Sequence, residues 1–300
     1  MASLVLALLA FQEVVLRIEP QDLIFRPGEP MWMRFVVENT LDQEVEFDEP
    51  ADYHEGLEVR DPEDRIVRAP GKQREPKCRR RLEGRGFFGR TLDVTFPVPE
   101  DGDGTYTFRW RFQTLASSEV RMLILRDYLA RIDTNFGLVT IEFHPEVAPI
   151  HVLHFVNLVR KGFYAEAKFY RIIPGFMMQG GQPAKAETVP AIAAEFSDRK
   201  HTFGTVSMAR QESTNSATSE FFICLGTASH LDHAYTVFGS VADGQEVVRN
   251  IERVKTDHNP CRECKQTLPE KATQHCGTHH ADRPLSDVVI RNITLLVRKK

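Results

Sequence analysis

FYRIIPGFMMQGG, residues 169–181, places one cation in an otherwise apolar run: Arg171 lies among Phe169, Ile172, Ile173, Phe176, Met177 and Met178. Two readings follow. Either the guanidinium snorkels from the edge of a core strand, its stem in apolar surroundings and its head in water, or it is held where a fixed positive charge has work to do. The surrounding chain must decide between them.

Upstream, Ala130-Arg131-Ile132-Asp133-Thr134 and Gly137-Leu138-Val139-Thr140-Ile141-Glu142-Phe143 read as two strands around the turn Asn135-Phe136-Gly137. A helix is predicted next. Pro149 stands at its first position, Val152, Phe155, Val156 and Val159 form a stripe at helical spacing, and Gly162 ends it. Downstream, Val206 to Ala209, Phe221 to Cys224 and Thr236 to Gly239 are strand-like. A second helix is expected from Asp243-Gly244-Gln245-Glu246, which has the spacing of a capping box, with Val247, Val248, Ile251 and Val254 inward. Many strands with two helices suggest a closed barrel plugged at its ends.

The opening stretch is followed, in order, by Ser207-Met208-Ala209-Arg210, Ser216-Ala217-Thr218-Ser219-Glu220-Phe221-Phe222-Ile223 and Leu231-Asp232-His233-Ala234-Tyr235-Thr236-Val237-Phe238-Gly239. This set resembles a cyclophilin of the bacterial type, from about Leu129 to Val254 and again from Val288. The resemblance implies an eight-stranded barrel capped by two helices and peptidyl-prolyl cis-trans isomerase activity on X-Pro bonds, with no cofactor for catalysis. By motif position, Arg171 would be the catalytic cation, with Gln179 orienting it and Glu220 beside it. Phe176, Met177, Phe222 and Leu231 would build an apolar floor and wall, while Tyr170, Ala209, Arg210, His230 and Tyr235 would line the substrate.

Two positions depart from the family pattern in ways that matter. Glu220 stands where most members carry Gln, and an ionised carboxylate lacks the amide's N–H donors. It could also draw Arg171 away from the substrate, so the expectation is reduced or altered activity. His230 replaces the Trp that contacts cyclosporin in sensitive members, which implies weak cyclosporin binding.

Between the second helix and the last strand, an insertion at 258–284 carries Cys261, Cys264, Cys276 and His279 as two pairs at x2 spacing. Such knuckles can converge as a tetrahedral Cys3His zinc site, and a metal would supply fold energy that this apolar-poor loop lacks. A redox Cys261–Cys264 pair and unused thiols in a disordered loop are the alternatives. Cys78 and Cys224 read as structural.

Residues 12–120 read as all-β, with alternation in Trp32 to Val37 and Thr105 to Trp110 between turns such as Arg26-Pro27-Gly28 and Asp101 to Gly104. An immunoglobulin-like β-sandwich fits, although no Cys-Trp-Cys signature marks a true immunoglobulin domain. A linker at 121–128 would join it to an isomerase domain at 129–300. From Arg65 to Arg90 ten basic residues face two acids, Glu75 and Glu83. The readings are a solvated long hairpin or a polyanion-binding loop.

The apolar run from Leu4 to Phe11 is too short to span a bilayer but long enough for the core of a secretory signal. The expectation for residues 1–11 is a signal-like segment on an exported or periplasmic protein; a first strand or a misplaced start codon are the alternatives. With 42% hydrophobic residues, 27% charged and a net charge of −4, nothing calls for specific nucleic-acid or membrane partners. Proline-containing polypeptides are the expected partners. The rivals to an isomerase are a module that binds proline segments without turnover, favoured by Glu220, and a scaffold whose working part is the sandwich and its basic stretch.

Overall fold

The computed structural model describes residues 13–72, 74–185, 187–257 and 282–298. The signal-like reading of residues 1–11 and the zinc quartet Cys261, Cys264, Cys276 and His279 lie outside the described residues. The chain divides into two units between Arg126 and Asp127. The linker expected at 121–128 is therefore mostly strand, because Val120–Ile124 belongs to the first unit and Tyr128 opens a strand of the second.

In the first unit, Trp32–Asn39 pairs antiparallel with Val14–Pro20 on one side and Phe87–Asp93 on the other. A second sheet orders Ile24–Phe25, Val120–Ile124, Gly104–Phe112, Leu57–Arg60 and Ile66–Arg68. Along Gly104–Phe112 every second residue is buried, which sends Tyr106, Phe108, Trp110 and Phe112 inward. These residues share one core with Leu16, Met33 and Phe35 of the first sheet, in a sandwich-like arrangement. At its centre Phe35 meets Trp110 edge-on with ring centroids 5.2 Å apart, and Tyr53 stacks on Trp110 at 5.4 Å.

The basic stretch is neither one hairpin nor a free loop. Its residues enter three strands, and Cys78–Leu82 pairs with Val45–Glu49 in a sheet of its own. Seven of the ten cations, Arg65, Arg74, Arg79, Arg80, Arg81, Arg85 and Arg90, have carboxylate partners. Those acids come from outside the stretch, from residues 42–61, so a charge count within the segment misjudged it. The polyanion-binding reading loses its support.

The second unit is a closed barrel of strands β1 (Tyr128–Thr134), β2 (Gly137–Phe143), β3 (Ala167–Ile173), β4 (Met177–Gln182), β5 (Thr205–Met208), β6 (Phe221–Cys224), β7 (Val237–Asp243) and β8 (Val288–Val297). Around the barrel the order is β1-β2-β7-β5-β6-β4-β3-β8, and β8 pairs with β1 to close it. Helix α1 (Pro149–Arg160) buries the expected stripe of Val152, Phe155, Val156 and Val159. Helix α2 (Gln245–Glu252) buries Val248 and Ile251 but has no capping box. Its N-cap is Gly244 at φ +87° with no side-chain cap, and the Asp243 carboxylate accepts from the Gly244 N–H. A Cβ on Gly244 would meet the Leu138 carbonyl oxygen at 2.3 Å, so the turn requires glycine before it requires a cap.

Candidate active site

A β-bulge answers the question posed by Arg171. In the β3–β4 ladder Phe169 pairs with Gly180 and Arg171 with Gln179, so Tyr170 is an extra residue on β3. A bulge breaks strict alternation and re-aims side chains. Phe169 and Ile172 consequently stay buried while Tyr170 and Arg171, adjacent in sequence, are both half-buried. Facing the bulge, β4 carries Gly181 at φ +95°, where a Cβ would come within 2.8 Å of the Ser219 carbonyl oxygen.

Arg171 borders a cleft of about 300 Å³, with Gln179 on the same wall. Phe176, Met177, Phe222 and Leu231 supply apolar lining, and Ala209, Arg210 and Tyr235 border it too. Met177, Phe222 and Leu231 form one buried cluster with Cys224 and Ala228. Burial pushes the Cys224 thiol up to about 12, so it is an inert packing group at neutral pH. The Tyr235 ring meets Phe222 edge-on at 5.6 Å, and the Arg210 guanidinium lies 4.7 Å from the Tyr235 ring centroid. Arg210 also donates to the carbonyls of Ala234, Gln211 and Glu212 at 2.8–3.0 Å, which makes it a brace between two cleft-bordering loops.

Three of the expected site residues stand differently. Glu220 does not take Arg171: its carboxylate accepts from the Tyr170 hydroxyl, from Gln179 Nε2 at 2.8 Å and from Gln182 Nε2 at 2.9 Å. Tyr170 therefore turns to Glu220 and is absent from the cleft lining, and its hydroxyl pKa is raised by burial and by that bond. Gln179 was expected to orient Arg171, yet its amide donors go to the Tyr170 oxygen at 2.6 Å and to Glu220. A carboxylate at position 220 explains all three, because it is an acceptor that gathers the nearest donors. His230 is exposed, with its ring 5.3 Å from that of Phe176 at the edge of the apolar lining.

The acid that does pair with Arg171 is Asp282, whose Oδ2 lies 3.7 Å from Nε. No motif marks it. It comes from the far end of the insertion, and nothing in its local sequence announces a partner on β3.

Behind Phe222 lies a second group that sequence reasoning missed. Ser207 Oγ is 2.9 Å from His201 Nε2, and His201 Nδ1 is 3.0 Å from Asp232 Oδ1. This order of groups is the one used for nucleophilic hydrolysis, but Ser207 is wholly buried and the His201 ring is stacked 6.0 Å from Phe222. It is a buttress. Burial pushes His201 down and keeps the imidazole neutral, while bonds from His201, its backbone N–H first, hold Asp232 at about 2. Among the described residues no cluster of His, Cys, Asp or Glu is placed to hold a metal ion, and no helix is long and apolar enough to cross a membrane.

Residues 129–295 match the family model described as cyclophilin type peptidyl-prolyl cis-trans isomerase/CLD. Peptidyl-prolyl cis-trans isomerase CYP23 of Arabidopsis thaliana is 40% identical over 134 residues, covering 41% of this chain and 59% of that protein. Peptidyl-prolyl cis-trans isomerase A of Dickeya dadantii is 37% identical over 137 residues, 42% of this chain and 72% of that protein. The crystal structure of a Cryptosporidium parvum cyclophilin type peptidyl-prolyl cis-trans isomerase is 23% identical, covers 57% of this chain and 99% of that one, and has a TM-score of 0.47. The chain thus spans under two thirds of the Arabidopsis relative's length.

Proposed function

The chain belongs to the cyclophilin-type peptidyl-prolyl cis-trans isomerase family, and on that premise we propose that it catalyses cis-trans isomerisation of X-Pro bonds in polypeptides. Rotation about a peptide C–N bond meets a resonance barrier of about 18–20 kcal/mol, and X-Pro isomerisation unaided takes on the order of tens to hundreds of seconds. No nucleophile or proton shuttle is needed. What is needed is a site that binds the twisted amide better than either planar form.

Twisting localises the lone pair on the prolyl nitrogen, and a guanidinium donating there stabilises the twisted form selectively. The pyrrolidine ring is apolar and seeks an apolar floor. Arg171 opposite Phe176, Met177, Phe222 and Leu231 supports that division of labour. The observation that carries the proposal is the bulge at Tyr170, which sets a permanent cation on a cleft that Phe176, Met177, Phe222 and Leu231 also line. Among the described residues no hydrogen bond engages the terminal amino groups of Arg171. A protease-coupled assay on an Ala-Pro peptide tests the activity.

The rival of binding without turnover rested on Glu220 capturing Arg171, and Glu220 is occupied elsewhere. Glu220 still takes the Gln179 Nε2 donor and offers the substrate no donors of its own. Glu220→Gln is accordingly expected to raise kcat/KM about threefold, a change of under 1 kcal/mol, and a clear fall would refute this role. Proline-containing clients whose folding or switching waits on isomerisation are the proposed partners. Weak cyclosporin binding is proposed from His230, with tight binding in a titration as the contrary result. A structural zinc on Cys261, Cys264, Cys276 and His279 is proposed on spacing alone, and stoichiometric zinc in the purified protein is its check.

A further inference from the structure

We infer that Asp282 is the positioning residue of the active site: its carboxylate holds the Arg171 guanidinium by the Nε edge so that the opposite edge faces the prolyl nitrogen. The inference rests on Arg171 being the catalytic cation. A guanidinium is a planar fork, so an acid on one edge sets the plane of the whole group. At 3.7 Å the Nε–Oδ2 contact is an ion pair rather than a tight hydrogen bond. It orients the fork without drawing on the terminal amino groups. Gln179, the cross-strand neighbour of Arg171, gives its Nε2 donors to Tyr170 and Glu220, and among the described residues no hydrogen bond joins its carbonyl oxygen to Arg171.

Asp282 is itself fixed. Its carbonyl accepts from the Ile172 N–H at 2.9 Å, one residue from Arg171, and its carboxylate is only 12% exposed. Just beyond it the two ends of the insertion are clamped. The Asp257 N–H donates to the Arg283 carbonyl at 2.9 Å, the Arg283 N–H donates to the Asp257 carboxylate at 2.7 Å, and the Leu285 N–H donates to the Lys255 carbonyl at 2.8 Å. The backbone of Asp282 is left-handed at φ +51°, a region that Asp and Asn enter more readily than other side chains. Asn can therefore replace it without new strain, and the substitution removes charge alone.

The test is steady-state kinetics of Asp282→Asn in the full chain, in the native background and in Arg171→Lys. In the native background kcat should fall about tenfold with KM nearly unchanged, the signature of a misaligned group that acts in the transition state. In the Arg171→Lys background the same substitution should cost nothing further, since no fork remains to align. An unchanged or raised kcat in the native background overturns the inference, as does an equal loss in both backgrounds, which would mark a purely structural role. If Arg171→Ala leaves activity intact, the assignment of Arg171 fails instead. Should Asp282→Asn not fold, the Arg171 Nε–H signal of the unmutated protein decides the matter: slow exchange with solvent supports the pair, and exchange as fast as in an exposed arginine overturns it.

Discussion

Arg171→Ala should lower kcat/KM for an Ala-Pro peptide by about 10²–10³-fold, the range seen when one preorganised donor to developing charge is removed. The loss should fall mainly on kcat. The apolar floor of Phe176, Met177, Phe222 and Leu231 survives the substitution and still seats the ring, so ground-state binding changes little. Arg171→Lys should fall between the two, because it keeps the charge but loses the planar fork. Thermal unfolding of Arg171→Ala should match the parent, since Arg171 is half-buried and contributes to the cleft rather than to the barrel core. Equal turnover by the parent and Arg171→Ala would remove the cation from the mechanism, and absence of turnover in both would leave only binding.

Glu49→Gln should destabilise the first unit by about 2–3 kcal/mol, the order expected for losing charge-assisted hydrogen bonds to a buried acid. Glu49 is wholly buried. It receives Arg90 Nη2 at 2.6 Å, the Arg80 guanidinium and the Cys78 thiol, and so ties Val45–Glu49, Cys78–Leu82 and Phe87–Asp93 together. Burial alone would push its carboxyl up; the bonds from Arg80 and Arg90 outweigh that and hold it at about 2.

A depressed carboxyl stabilises the fold fully above its unfolded value of about 4.3, and that stability drains away as pH falls towards 2. The parent should therefore lose stability steeply between about pH 4.3 and 2, whereas the part of that slope owed to Glu49 should be missing in Glu49→Gln. Both tryptophans of the chain, Trp32 and Trp110, lie in the first unit, so tryptophan fluorescence follows its unfolding without a signal from the barrel. Identical acid slopes in the two proteins would refute the assignment.

The barrel was legible in the sequence because its signals are consecutive. Pro149, the helical stripe to Val159 and the run from Phe169 to Gly181 each depend on neighbours a few positions away, and so do the strand patterns around Val206, Phe221 and Val237. The cleft residues were named from motif position in the family resemblance, and Arg171, Phe176, Met177, Ala209, Phe222, Leu231 and Tyr235 all border one cleft. Partnerships were less legible. Assigning Glu220 to Arg171 and Gln179 to the guanidinium followed from motif positions, but a carboxylate collects whichever donors the register brings nearest, here Tyr170 and Gln179 themselves. The basic stretch failed in the same way, since its acids were supplied from outside it, by the strand Val45–Glu49 and by Asp42, Glu55 and Asp61.

By itself the sequence determined a mainly β chain in two parts, because side-chain type and periodicity are local properties of the chain, and its ordered motifs carried the resemblance that implied a cyclophilin-type barrel with a cation beside an apolar floor. Tertiary structure alone decided how that cation is aimed. The bulge at Tyr170 is a property of the β3–β4 register, and the pairing of Arg171 with Asp282 joins residues that only barrel closure brings together. Ladder register and ion pairing depend on distances through space, which no reading along the chain can measure.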